Sequence, residues 1–174
     1  RTLLPQPQLW QDTVVILPGT HSKHARIRDD VLVDFCTVMT GELFEILSQH
    51  SVLRASVDSR HSDPLDEPSF RAGVAHVVSF GLPRSLFRVR SRALLDHEPP
   101  TSNCAFLSGL LIGVEIADLL AREPVAHLLL TGAPALRHLY AIALDEMGAG
   151  SRLLNLGSTL VAHATLAAHA RLMV

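Results

Sequence analysis

At 174 residues, 48% of them hydrophobic and 18% charged, the chain carries enough apolar material for one globular domain and is excluded from the disordered class. A net charge of −2 and a pI near 6.6, with the arginines dispersed rather than striped along one face, exclude the basic field that a nucleic-acid partner requires. No apolar run reads as long enough to span a bilayer and no signal peptide is visible, so no membrane partner is expected; Cys36 and Cys104 lack a Cys-x-x-Cys spacing and read as buried free thiols of a cytosolic protein, a disulfide being possible but unsupported.

The chain opens on Arg1 rather than Met, and the Pro/Gln-rich residues 2–11 run straight into a strand-like segment, as in a chain entered partway through a longer protein; a processed terminus is the other reading. Residues 13–17 form a short β-branched apolar run. A turn at Gly19 follows, then residues 25–28, a second turn at Asp29-Asp30, and residues 31–39, which together predict a three-stranded antiparallel meander. At Thr40 the apolar period changes, with Leu43, Phe44, Ile46 and Leu47 predicting a helix over 40–50, Thr40 as its N-cap and Glu42 suited to its first turn.

Residues 56–68 are rich in Ser, Asp, His and Pro and read as an exposed loop before a helix over 69–79. A Leu/Arg helix over about 85–95 is separated by a break at 96–101 from a strongly apolar helix over about 102–121, on which Gly109 and Gly113 share one face and mark a packing groove. Residues 125–130 predict a buried strand, Thr131-Gly132-Ala133-Pro134 a tight turn, and 135–147 a helix closed by Gly148. A short strand at 152–156 leads through Gly157-Ser158 into an alanine-rich helix ending near Leu172. A meander followed by alternating helices and strands predicts a mixed α/β domain with parallel crossovers.

The chain has a single lysine among fifteen basic residues, and it lies in the polar loop Leu17-Pro18-Gly19-Thr20-His21-Ser22-Lys23-His24. A lysine ammonium is a compact charge on a flexible stem and can follow a phosphate, whereas arginine favours planar bidentate pairs. Gly19 permits close backbone approach, and Thr20 and Ser22 add hydroxyl donors, the ingredients of an anion-binding nest; an ordinary surface lysine in a hairpin turn is the competing reading. In α/β units, ligands gather beyond the carboxyl ends of strands, which makes the Gly19 loop and the Thr131-Gly132-Ala133 turn the two candidate ligand loops. Glu42 and Asp34 flank the first of them and are candidates to hold magnesium through water. Glu115 stands alone on the apolar helix, either a functional buried carboxylate or the partner of an arginine. Ten histidines include no metal-ligand spacing; His163 and His169 lie six apart and cannot face the same way, and His21 alone is placed to touch phosphate. No Gly-x-Ser-x-Gly elbow, Walker loop or GxGxxG motif is present, and no carboxylate stands out as a general base.

Residues Leu17 to Lys23, the run Thr37-Val38-Met39-Thr40-Gly41-Glu42-Leu43-Phe44, and Phe106-Leu107-Ser108-Gly109-Leu110-Leu111-Ile112-Gly113-Val114-Glu115 resemble the 2-keto-3-deoxygalactonokinases, sugar-acid kinases of the actin, hexokinase and Hsp70 superfamily. The resemblance runs from about Asp12 to the C-terminus and covers the family's C-terminal half. It implies a ribonuclease-H-like lobe at 13–174, preceded at 1–12 by a remnant of the inter-lobe linker, with the N-terminal lobe absent. It implies ATP and Mg2+ as cofactors and 2-keto-3-deoxygalactonate as acceptor, phosphorylated to its 6-phosphate in cytoplasmic galactonate catabolism. By the same resemblance Gly19, Thr20, His21, Ser22 and Lys23 match the second phosphate-binding loop, Thr131, Gly132 and Ala133 the adenosine-binding turn, and Thr40, Gly41 and Glu42 the start of a cleft-lining helix. No direct metal ligand is implied, and the catalytic base belongs to the missing lobe, so the chain alone is expected to be inactive. His24 stands where the family commonly has tryptophan, and Pro134 stiffens a position expected to be permissive. A non-catalytic nucleotide- or sugar-sensing module is the alternative, and an exposed cleft face makes a homodimer an expected partner.

Overall fold

The computed structural model describes residues 12–58, 65–124 and 127–154. Strand β1 (Thr13–Leu17), β2 (Ser22–Arg28) and β3 (Val31–Val38) form the expected meander, with Val15 opposite Ala25 and Lys23 opposite Thr37. Asp29 and Asp30 both adopt positive φ, 51° and 64°, the two-residue hairpin geometry that aspartate tolerates and that matches strand twist. Strand β4 (His127–Leu130) lies parallel to β1 on its other side, giving the order β3-β2-β1-β4. Every residue of β1 is buried, with a strand on each edge and both of its faces covered, which is why its run is apolar and β-branched without alternation.

Among the described residues five helices accompany this mixed sheet: α1 (Thr40–His50), α2 (Glu67–Phe80), α3 (Leu82–Leu95), α4 (Pro100–Arg122) and α5 (Pro134–Glu146), with short 3-10 turns at Val52–Ala55 and Gly150–Arg152. Helix α4 is the hub. Its Ile112, Ile116 and Leu119 share one apolar cluster with Val14 and Ile16 of β1, Leu128 and Leu130 of β4, Phe70 and Val74 of α2, and Tyr140, Ala143 and Leu144 of α5. Its earlier turns, Phe106, Leu107, Leu110 and Leu111, pack a second cluster with Leu53, Val77 and Val89. By length and composition alone α4 could cross a bilayer, contrary to the expectation that no run is long enough. Its apolarity has another cause here: other elements cover it, and most of its surface is buried.

The glycine face of α4 meets α2 backbone to backbone. A methyl at Gly109 would fall inside the Phe70 carbonyl, and one at Gly113 would sit 2.8 Å from Val77 Cγ1 and 3.1 Å from Val74 Cα; on α2, a methyl at Gly73 would meet Leu110 N at 3.1 Å. The groove read from the Gly109/Gly113 spacing is therefore a helix crossing.

Several boundaries move. Strand β2 begins at Ser22 rather than 25 because the antiparallel ladder extends to the Leu17–Lys23 pair. Thr40 is the first helical residue rather than the cap; Met39 takes that place with no side-chain cap, since the Thr40 hydroxyl is engaged elsewhere. Helix α2 starts at Glu67, capped by Asp66 accepting from the Ser69 amide at 3.0 Å with Pro68 in its first turn. Helices α3 and α4 likewise begin with a proline in their first turn, ahead of residues 85 and 102. Cys36 and Cys104 are free thiols, half-buried rather than buried. At the predicted 152–156 strand, Arg152 closes a 3-10 turn and Leu153 makes an isolated parallel bridge to Leu128; residues 155–156, the alanine-rich helix, His163 and His169 lie outside the described residues, as do 59–64 of the 56–68 loop.

Gly109→Ala tests the crossing. In an open helix interior the change gains up to about 1 kcal/mol; here it is expected to cost about 1–3 kcal/mol, read from the midpoint of urea unfolding.

Candidate functional site

The loop from Pro18 to His21 leaves the carboxyl end of β1 and is held from two sides. From the β4–α5 turn, the Thr131 amide donates to the Ile16 carbonyl at 3.0 Å and its hydroxyl to the same oxygen at 3.3 Å, while Gly132, at φ 89°, lies against the Pro18 carbonyl. From α1, the Glu42 amide donates to the Thr20 carbonyl at 3.0 Å. A Cβ at Gly41 would lie 2.7 Å from both the Gly19 carbonyl and the Thr20 Cα, so only glycine allows the first turn of α1 to close on this loop.

Three segments far apart in sequence thus meet at one end of the sheet: Gly19, Thr20, His21, Ser22 and Lys23; Thr40, Gly41 and Glu42; and Thr131, Gly132 and Ala133. Two helix N-termini, those of α1 and α5, begin there, and each directs partial positive charge toward the loop end of the sheet. Thr20 and His21 are exposed, and His21 Nε2 contacts Glu42 Oε2 at 2.6 Å. Lys23, half-buried, donates from Nζ to the His21 carbonyl at 2.8 Å, so its ammonium folds back over its own loop.

Two expected placements change. Ser22 is fully buried and turns its hydroxyl inward, away from any ligand over the loop. Asp34 pairs in register with Arg26, four positions along β3 from Val38, the residue opposite Ser22; strand pleat and spacing remove it from Glu42, and no metal-holding group of three His, Cys, Asp or Glu exists among the described residues.

The Ser22 hydroxyl goes to Glu115. That carboxylate, buried in the middle of α4, accepts from Ser22 Oγ at 2.6 Å and pairs with His24 Nε2 at 2.8 Å through Oε1, and accepts from Tyr140 Oη at 2.7 Å and Thr40 Oγ1 through Oε2. Among the described residues, no arginine pairs with it. Burial alone would raise the Glu115 pKa, but the donors His24, Ser22, Thr40 and Tyr140 together outweigh it and hold the carboxyl below its ordinary value. Burial first, and then the nearby Glu115 charge, push the Tyr140 phenol far up, so it stays a neutral donor. A lone carboxylate on an apolar helix was the visible signal for this cluster; Tyr140, the chain's one tyrosine, carried none, because a tyrosine in an amphipathic helix reads as ordinary core.

Beside the loop opens a cavity of about 400 Å³. It is lined by Gly19, Thr40 and Gly41 next to the loop, by Leu136, Leu139 and Tyr140 of α5, and by Ser108, Leu111 and Ile112 of α4, with Asp58 and Asp66 also among its lining. Size and lining, largely apolar with a few convergent polar groups, suit a flat heterocycle whose charged tail reaches the Gly19 loop.

A family described as 2-keto-3-deoxy-galactonokinase matches residues 3–168. The chain is 34% identical over 163 residues to a Rhizobium meliloti (strain 1021) protein named "Probable 2-dehydro-3-deoxygalactonokinase DgoK1", across 90% of this chain and 52% of that protein. It is also 34% identical over 167 residues to the 2-dehydro-3-deoxygalactonokinase of Escherichia coli (strain K12), across 90% and 55%. A solved structure described as "Crystal structure of a putative 2-dehydro-3-deoxygalactonokinase protein from Sinorhizobium meliloti" aligns at a TM-score of 0.79 and 32% identity, covering 94% of this chain and 55% of that one. The chain spans about half the length of the relatives it matches.

The Glu115 carboxyl yields one pH-dependent outcome. Because its folded pKa is lowered from 4.5, the stability it contributes is fully present above that value and is lost as pH falls through the folded one. The stability gap between wild type and Glu115→Gln, measured by urea unfolding, is expected to be wide at neutral pH and to narrow as pH falls below 4.5.

Proposed function

Since the chain belongs to the 2-keto-3-deoxy-galactonokinase family, we propose that it forms the C-terminal lobe of an enzyme that transfers the γ-phosphoryl group of ATP to the 6-hydroxyl of 2-keto-3-deoxygalactonate. Residues 13–174 constitute that lobe and 1–12 the end of the inter-lobe linker. The remaining half, which the relatives have and this chain does not span, supplies most sugar-acid contacts and the catalytic base. The reaction runs in the cytoplasm, where ATP is supplied, and the chain alone is inactive.

The observation that carries this reading is the convergence on the Gly19 loop of the first turn of α1, the β4–α5 turn and the chain's single lysine, beside the cavity. Adenine and ribose occupy the cavity against Leu136, Leu139 and Tyr140, while the Thr131-Gly132-Ala133 turn, which is not part of the lining, holds the Gly19 loop in place. The β- and γ-phosphates lie over Gly19, Thr20 and His21, where exposed backbone and the Thr20 hydroxyl face them. Lys23 needs only to swing its Nζ from the His21 carbonyl to reach a phosphate oxygen. As charge moves from the γ-phosphoryl group to the β-phosphate, that ammonium and the positive end of α1 stabilise it.

Of the two carboxylates read as candidates to hold magnesium, Glu42 alone stands at the loop, so the fit is to a metal held mainly by phosphate and water, with Glu42 as its outer protein partner. When bound, Mg2+ neutralises phosphate charge; the chain's own part is to orient the nucleotide.

The test is a coupled ADP-release assay with ATP, Mg2+ and 2-keto-3-deoxygalactonate, run on this chain and on a form extended to its relatives' full length. Activity is expected only in the extended form, and silence in both would sink the kinase reading. In that form Lys23→Ala is expected to lower turnover roughly 100-fold while moving stability by no more than about 0.5 kcal/mol. Unchanged turnover would remove Lys23 from the site.

A further inference from the structure

The Glu115 cluster has no task in phosphate binding itself, yet it is built from the residues that bracket the phosphate loop. Ser22 and His24, which flank Lys23 at the start of β2, meet Oε1. Thr40, the first residue of α1, and Tyr140 of α5 meet Oε2. One carboxylate plane therefore ties the outgoing end of the loop to the two helices that close over it. Thr40 is adjacent to Gly41 and Glu42, which grip Gly19 and Thr20, and both Thr40 and Tyr140 also line the cavity.

Packing alone does not call for this arrangement. Apolar side chains of the same volume fill a core at equal or better stability than a buried carboxylate with its donors. What the polar cluster adds is direction: hydrogen bonds fix angles that apolar contacts leave loose. We infer that Glu115 is a positioning residue that sets the phosphate loop Gly19 to Lys23 in register with the N-terminus of α1 and with Tyr140 in the cavity wall. The inference rests on the kinase reading for what the loop holds, but the tie between Glu115 and loop geometry stands on the hydrogen bonds themselves.

Two measurements separate these. On the full 174-residue chain, amide hydrogen exchange is followed for wild type, Glu115→Gln and Thr40→Val. Exchange at the Glu42 amide, which donates to Thr20, is expected to rise roughly tenfold or more in Glu115→Gln and less in Thr40→Val, while β1 amides keep their protection. Unchanged exchange at Glu42, or an equal rise throughout the chain, would overturn the assignment; should Glu115→Gln not fold, Thr40→Val decides it alone. In the extended enzyme, Glu115→Gln is expected to lower turnover roughly 10- to 100-fold with the sugar-acid KM unchanged, and adding Thr40→Val is expected to cost nothing further. A fall in turnover that disappears once rates are referred to the folded fraction, or fully additive losses, would count against positioning. No ADP release by the wild type would sink the kinase reading and leave the exchange result to decide Glu115.

Discussion

Placing an ionised carboxylate in a protein interior is costly unless donors replace the water it loses, and in this fold the replacement comes from three other elements at once. Glu115 projects from the middle of α4 and is met by β2, α1 and α5. The consequence is mutual dependence. Helix α4 keeps its carboxylate buried only while those elements sit where their hydroxyl and imidazole groups reach it, and they converge there only because α4 occupies the centre. The glycine crossing with α2 serves the same end from the opposite side, letting α4 sit close enough to α2 that Phe70 and Val74 join the cluster formed with β1 and β4.

Above that centre, the site follows from strand direction. Strands β1 and β4 run parallel, so their carboxyl ends open at the same edge of the sheet, and the loops that leave them are neighbours by construction. The Gly19 loop and the Thr131 turn are the two segments so placed, and the first turn of α1 closes over one of them because Gly41 has no side chain. The resulting surface offers backbone donors, helix N-termini and one ammonium, the combination on which the proposed phosphate site rests.

Local chemistry made much of this readable from the sequence. The period change at Thr40, the paired turn aspartates and the apolar run of β1 each declare an element within a few residues, and the glycine spacing on α4 declares a close contact. Prolines also open helices: those in the first turns of α2, α3 and α4 lie ahead of where the apolar period begins, so these helices start earlier than that period predicts. The inward turn of Ser22 was not readable: the alternation of β2 points its even-numbered neighbour His24 the same way, but only the position of α4 reveals that a carboxylate waits there. Asp34 failed as a site residue for the converse reason, since nearness to the loop along the chain is undone by the length of an extended strand. Tyr140 joined the site through tertiary packing alone, which no local pattern encodes.

The parallel pairing of β1 with β4 also sets the order in which the chain can assemble. The meander β1 to β3 closes through short turns, whereas Thr131 and Ile16, joined at the end of the β1–β4 ladder, are 115 positions apart. Until the intervening helices are in place, β1 stands as an open edge with Val14 and Ile16 uncovered on the face that α2, α4 and α5 will later occupy. A nascent chain therefore presents its most apolar strand first and its cover last, an interval in which chaperone capture competes with strand pairing against other molecules.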